Sequence, residues 1–245
     1  MLQGIPSLMA ARGIASVFSP TDISGLKLWL KADALSLNDG DAVGTWTDSS
    51  GNGFDFLQST AGSKPTYKAN IQNGLPIVRF DGGDFLEATA SIIPTNTSDY
   101  TILATCSAAS TSAGAHNVYS TGTSGVGYSV QLRRDTAAWN HFHYTGGNIS
   151  AGEAGGVVAD AWNVITADWD LTNIHFYRNG TLKQTTPTIV MERASTYNSV
   201  GFDGPDGAIQ FWDGDIGELI IYVPSLSSTN RGLVETYLKS RWATP

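Results

Sequence analysis

Ile174-His175-Phe176-Tyr177-Arg178-Asn179-Gly180-Thr181-Leu182-Lys183 sets two extended runs on either side of an Asn-Gly pair. Asn-Gly accepts the two positive φ angles of a type I′ turn, so the stretch predicts a tight antiparallel hairpin. The same pattern recurs on both sides. Leu26-Lys27-Leu28-Trp29-Leu30-Lys31 alternates with leucine at every second position, and Ile77-Val78-Arg79-Phe80 and Phe85-Leu86-Glu87 flank Asp81-Gly82-Gly83-Asp84, a turn that needs positive φ. Tyr128, Val130 and Leu132 alternate with Ser129, Gln131 and Arg133, and Trp162 to Trp169 reads as a strand covered on both faces. With 27 glycines and little helical periodicity, the chain reads as an all-β, two-sheet antiparallel sandwich. One helix is expected near the C-terminus, where Leu233, Val234, Tyr237, Leu238 and Trp242 form an apolar stripe. Ser227, Ser228 or Thr229 can cap it, and Lys239 and Arg241 suit its negative end. A lone helix after many strands is expected to plug an edge or end of the sandwich.

The 245 residues suit one sandwich domain, residues 23–245, behind an arm of residues 1–22. Net charge is −8 with only 15% charged residues, which opposes nucleic-acid binding and suits neutral glycans or carboxylate-held cations. Cys106 is the single cysteine, which excludes an internal disulfide, and its place in Tyr100-Thr101-Ile102-Leu103-Ala104-Thr105-Cys106 predicts a buried thiol. No stretch is apolar enough to span a membrane, and the opening Met1-Leu2-Gln3-Gly4-Ile5-Pro6 makes a poor secretory signal. Leu2, Ile5, Leu8 and Met9 give the arm a mildly apolar character, read as an anchor to an assembly partner.

Four stretches together resemble the laminin-G-like, concanavalin A-like jelly-roll modules of phage structural proteins and bacterial surface proteins. They are Gly25 to Asp33, Thr45 to Gly53, Asn73 to Gly82 and Gly214 to Tyr222, the last leading into the Val234-Glu235-Thr236-Tyr237-Leu238 helix. The resemblance implies a jelly roll and a non-enzymatic virion module: a decoration, fibre or tail component, anchored to capsid or tail proteins and adhering to host glycans. A secreted lectin-like module on the bacterial outside is the alternative. The expected assembly is a homo-oligomer, with a trimer as the usual state for displayed sandwiches.

Glucanases of this fold carry Glu-x-Asp-x-x-Glu on a strand, and Asp213-Gly214-Asp215-Ile216-Gly217-Glu218 comes near it. Asp213 is one methylene short of the pattern. On a regular strand Glu218 points away from Asp213 and Asp215, unless a bulge at Gly217 realigns it. A glucanase using Asp215 and Glu218 is therefore the least favoured reading.

Asp48, Asn52 and Asp55 supply hard oxygens that could wrap calcium, or could form Asx-turns without any ion. Asp203-Gly204-Pro205-Asp206-Gly207 is a second oxygen-rich loop. In Trp139-Asn140-His141-Phe142-His143-Tyr144, Phe142 and Tyr144 are assigned to the core, with Trp139, His141 and His143 on the outer face. A sugar stacking on Trp139 and bonded by both imidazoles, with Arg133 and Arg134 adding donors, competes there with plain surface packing. The His-x-His pair lacks a third ligand for a transition metal. Standard phosphate-binding, Ser-nucleophile and zinc motifs are absent from the sequence.

Overall fold

A computed structural model describes residues 18–94, 98–111, 113–123, 128–144, 148–187, 196–203 and 210–245. The anchor residues Leu2, Ile5, Leu8 and Met9, and Asp206 of the second oxygen-rich loop, lie outside them.

The strands are β1 (Leu26–Lys31), β2 (Thr45–Trp46), β3 (Phe56–Leu57), β4 (Thr66–Gln72), β5 (Leu75–Asp81), β6 (Leu86–Thr89), β7 (Tyr100–Ala108) and β8 (Ala115–Thr123). They continue with β9 (Tyr128–Asp135), β10 (Ala138–Tyr144), β11 (Asn148–Glu153), β12 (Asn163–Trp169), β13 (Asn173–Arg178), β14 (Thr181–Pro187), β15 (Tyr197–Val200) and β16 (Asp213–Tyr222), and helix α1 (Ser228–Trp242) follows. Two antiparallel sheets of eight strands face each other. The first runs β14-β13-β12-β7-β16-β5-β4, with β1 also paired to β16, and the second runs β11-β10-β9-β8-β15-β6-β3-β2. This is the expected all-β jelly-roll sandwich. The Asn-Gly hairpin joins β13 to β14 with Asn179 at φ 53° and Gly180 at φ 80°.

The core between the sheets takes the inward residues of both, among them Tyr100, Ile102, Ala104 and Cys106 of β7 and Val130 and Leu132 of β9. Burial pushes the Cys106 thiol well up from its ordinary range, so it stays protonated and inert. A second apolar layer covers the outer face of the first sheet. Trp29, Ile77, Leu103, Val164, Ile220 and Tyr222 meet Val234, Leu238 and Trp242 of α1 there. The helix is therefore a third layer over a sheet face, not the plug of an edge. The cause lies in the strands: β7, β12 and nearly all of β16 are buried, and strands apolar on both sides need a cover on each.

Ser227 caps the helix, its Oγ accepting from Asn230 N at 3.2 Å. Residues 18–22 pack on the domain. Phe18 meets Tyr237 edge-on, with ring centroids 6.1 Å apart, and Tyr222 Oη donates to Pro20 O at 2.7 Å.

The register of β16 against β7 shifts between Ile216 and Glu218, which places a β-bulge at Gly217. A Cβ on Gly217 would lie 2.4 Å from the Trp242 ring. Gly217→Ala is expected to lower unfolding free energy by about 1–3 kcal/mol, the cost of overpacking. Urea denaturation followed by circular dichroism measures it, and wild-type stability in the variant would refute the helix seating.

Candidate functional site

The loop ends of β5, β7 and β16 meet at one rim of the sandwich. A cleft of about 360 Å³ opens there, lined by Arg79, Phe80, Asp81, Ala109, Asp160, Asp213, Gly214 and Asp215. Strand alternation puts Arg79, Asp213 and Asp215 on the outer face, while Phe80 and Ile216 turn into the core. The Arg79 guanidinium grips Asp215 through two parallel bonds, Nε to Oδ1 at 2.7 Å and Nη2 to Oδ2 at 2.8 Å. That pairing raises the pKa of Arg79 further and fixes its fork in place. Asp160 is held at the mouth by its own N–H, which donates to Ala108 O at 2.8 Å. Asp81 and Asp160 are exposed and Asp213 is half-buried. The cleft thus presents carboxylate acceptors beside a fixed guanidinium.

An aromatic plate stands near this rim. Trp162, two residues beyond Asp160, is half-buried and stacks on Trp242 with centroids 5.4 Å apart and planes at 10°. Trp242 in turn lies over Gly217, two residues beyond Asp215. Phe85, Phe202 and Phe211 form a second half-buried aromatic group, with Phe202 and Phe211 stacked at 4.7 Å. Polar groups beside flat apolar rings are the complement of a pyranose, which has hydroxyls at its edge and C–H groups on its face.

The glucanase constellation does not assemble in this cleft. The Gly217 bulge brings Glu218 to the same outer face as Asp213 and Asp215, as one of the sequence readings required. Helix α1 then seals it: Glu218 is 0% exposed. Its carboxylate accepts from Trp29 Nε1 at 2.8 Å, Arg241 Nε at 2.7 Å and Trp242 Nε1 at 3.0 Å. Burial pushes its pKa up, opposed by these donors and the Arg241 charge. No substrate reaches a group enclosed in this way.

The proposed sugar platform on β10 is corrected as well. Trp139, His141 and His143 are all 0% exposed and face the core, while Phe142 turns outward. The register explains it, since His141 pairs with Leu132 and His143 with Val130, both inward residues of β9. Large side chains on both faces of β10 hide the period, and a one-residue error inverts every assignment. Arg134, opposite Trp139, is likewise buried. Arg133 alone of the set lies on the outer face, its guanidinium 3.6 Å from the Phe142 ring centre and 3.1 Å from Asp135 Oδ2.

The Asp48 loop is a hydrogen-bonded clasp. Asp48 Oδ1 accepts from Trp29 N and Ser50 N, and Oδ2 accepts from Ser50 Oγ and Phe54 N. Asp55 Oδ1 accepts from Asp48 N, and Asn52 Nδ2 donates to Leu26 O and Lys27 O. These donors engage both oxygens of Asp48 and one of Asp55, so hydrogen bonds alone give the loop its shape, the Asx-turn reading of the sequence. In the other oxygen-rich loop, Asp203 is bonded by Gln131 Nε2. Among the described residues no three His, Cys, Asp or Glu side chains group as metal ligands, and no helix is long and apolar enough to cross a membrane.

The model of the concanavalin A-like lectin/glucanases superfamily, laminin-G type, matches residues 80–230. The chain belongs to this superfamily. No curated protein matches it. Domain 4 of AbnA, an extracellular arabinanase from Geobacillus stearothermophilus solved with arabinotriose, is similar in fold at TM-score 0.64 and 15% identity, over 85% of this chain and 97% of that one. The sialidase of Trypanosoma rangeli with sialic acid follows at TM-score 0.63 and 15% identity, over 91% and 34%. The ligand-binding domain of botulinum neurotoxin serotype D with N-acetylneuraminic acid gives TM-score 0.59 and 13% identity, over 88% and 55%. This superfamily member thus spans about a third of the sialidase chain and about half of the toxin domain. At these identities the likeness is one of fold.

If calcium bound the Asp48 loop, saturating ion would add about 2.7 kcal/mol at a hundred times its Kd. Calcorimetric melting in calcium and in chelator should instead coincide, and a rise in Tm with calcium would reinstate the ion. Beside the cleft, burial and the Asp81 charge raise Asp84 from its ordinary 3.8 to about 6. A raised folded pKa contributes stability that is full below the unfolded value and is lost as pH rises through the folded one. Asp84→Asn should flatten the fall in stability between about pH 4 and pH 6, and an unchanged slope would contradict this.

Proposed function

We propose that the chain is a non-catalytic glycan-binding module. The observation that carries this reading is the rim cleft, where Asp160 and Asp213 offer hydrogen-bonding groups beside the fixed Arg79–Asp215 pair, with Trp162 two residues along the chain from Asp160. The enclosure of Glu218 removes from the cleft the carboxylate that the glucanase pattern would pair with Asp215. Superfamily membership supports the reading in kind, because the same scaffold carries sugar-bound domains in the arabinanase and toxin structures. We read its setting as an extracellular or virion surface, with capsid or tail proteins as the partners of Leu2, Ile5, Leu8 and Met9 in the N-terminal arm and host glycans as the outward ligand.

A broad glycan array with the full chain tests the proposal. Binding is expected, and Asp160→Ala or Asp213→Ala should weaken it about tenfold or more by removing one charge-assisted hydrogen bond. Reducing ends should not appear on incubation with β-glucans. A blank array, unaltered binding by both variants, or glycan cleavage would each overturn the reading.

A further inference from the structure

The core holds one polar knot that the glycan reading does not use. Tyr100 reaches in from β7 of one sheet, and His141 and His143 from β10 of the other. Their polar atoms converge on one point. Tyr100 Oη lies 2.9 Å from His141 Nε2 and 2.6 Å from His143 Nε2, and the two Nε2 atoms are 2.8 Å apart. All three residues are 0% exposed, and Trp169 packs beside Tyr100 and His143.

Hydrogen bonding accounts for two of these three contacts. His141 Nδ1 lies 3.3 Å from His175 O, and a carbonyl only accepts, so the proton sits on Nδ1 and His141 Nε2 carries a lone pair. Tyr100 Oη can donate to that lone pair and accept from His143 Nε2. The close approach of the two imidazole nitrogens adds no third bond.

The spacing matches a different use. Cis ligands of an octahedral cation, with bonds of about 2.0–2.1 Å meeting near 90°, lie about 2.9 Å apart, whereas tetrahedral ligands lie about 3.4 Å apart. The three observed separations fall at the octahedral value or just below it. His141 already has the support a metal-bound imidazole takes, its second nitrogen donating to a backbone carbonyl.

We propose that His141 Nε2, His143 Nε2 and Tyr100 Oη are a facial ligand set for a first-row divalent transition-metal ion of octahedral or tetragonal preference, Cu²⁺ or Ni²⁺ in class. Imidazole nitrogen suits these ions and excludes calcium. On binding, the Tyr100 hydroxyl releases its proton to solvent, and the proton of His143 moves from Nε2 to Nδ1. The resulting phenolate cancels one of the two positive charges, which lowers the cost of burying the ion. The ion would join the two sheets directly. The shortest way in is from the side, where β10 is one strand from the edge of its sheet, and the ion enters when the contact of β11 with β14, Thr186 Oγ1 to Ser150 O at 2.8 Å, opens or before it forms on folding.

The full chain, stripped with chelator and also refolded from urea with each ion, is titrated with Cu²⁺, Ni²⁺ and Ca²⁺ by calorimetry and analysed for bound metal. One Cu²⁺ or Ni²⁺ per chain is expected, bound more tightly at higher pH, with no calcium taken up at this site. Copper should give a visible tyrosinate-to-copper charge-transfer band that Tyr100→Phe abolishes. His141→Gln should weaken binding roughly a hundredfold or more. A His116→Ala, His175→Ala double variant, which removes the remaining histidines, should bind as wild type. The proposal fails if folded wild type takes up neither ion by either route, or if uptake survives His141→Gln but not loss of His116 and His175. Because the first of these outcomes needs no variant, a folding defect in a mutant cannot shield the idea.

Discussion

The carboxylate of Glu218 is the point on which the three layers depend. Two indoles, a guanidinium and the Tyr237 hydroxyl, at 3.3–3.4 Å, surround it beneath helix α1. Those groups come from β1 and from the end of the helix, so one side chain ties the first strand, the last strand and the last helix together. Burying a carboxylate costs several kcal/mol, and it is tolerated here because both oxygens have partners. Removing the acceptor would leave two buried indole N–H groups and a guanidinium without it, each costing about 1–3 kcal/mol. The local bulge, the missing Cβ at Gly217 and the seating of Trp242 all serve this arrangement.

The fold was legible because it is written in short-range signals. Asn179-Gly180 specified its hairpin, and the apolar stripe of the last helix specified its span. The same helix was misplaced, because no periodicity says which surface a lone helix will cover. The run from Trp162 to Trp169, read as a strand covered on both faces and buried along all of Asn163 to Trp169, held the answer, since a strand without a wet side implies a second cover.

Site residues were less legible, for two separate reasons. On β10 the needed signal was present: the turn pairing Asp135 with Ala138 fixes His141 opposite Leu132, so the inward face of β9 decides that of β10. The cleft was hidden for a deeper reason. Arg79 and Asp215 are 136 residues apart, and nothing local to either indicates the other. Tyr100, the group that completes the two histidines, is likewise distant in sequence and sits on the opposite sheet. Chemistry assembled across layers cannot be read from spacing along one strand.

Of the seven tryptophans, Trp29, Trp46, Trp139, Trp169, Trp212 and Trp242 are buried, and Trp162 is the half-exposed one. Its contact with Trp242 therefore has an optical meaning. A soluble quencher such as acrylamide would sample chiefly the emission of Trp162, while the other six indoles supply a steady background. The domain carries its own light-based reporter at the rim, with no dye or label to attach.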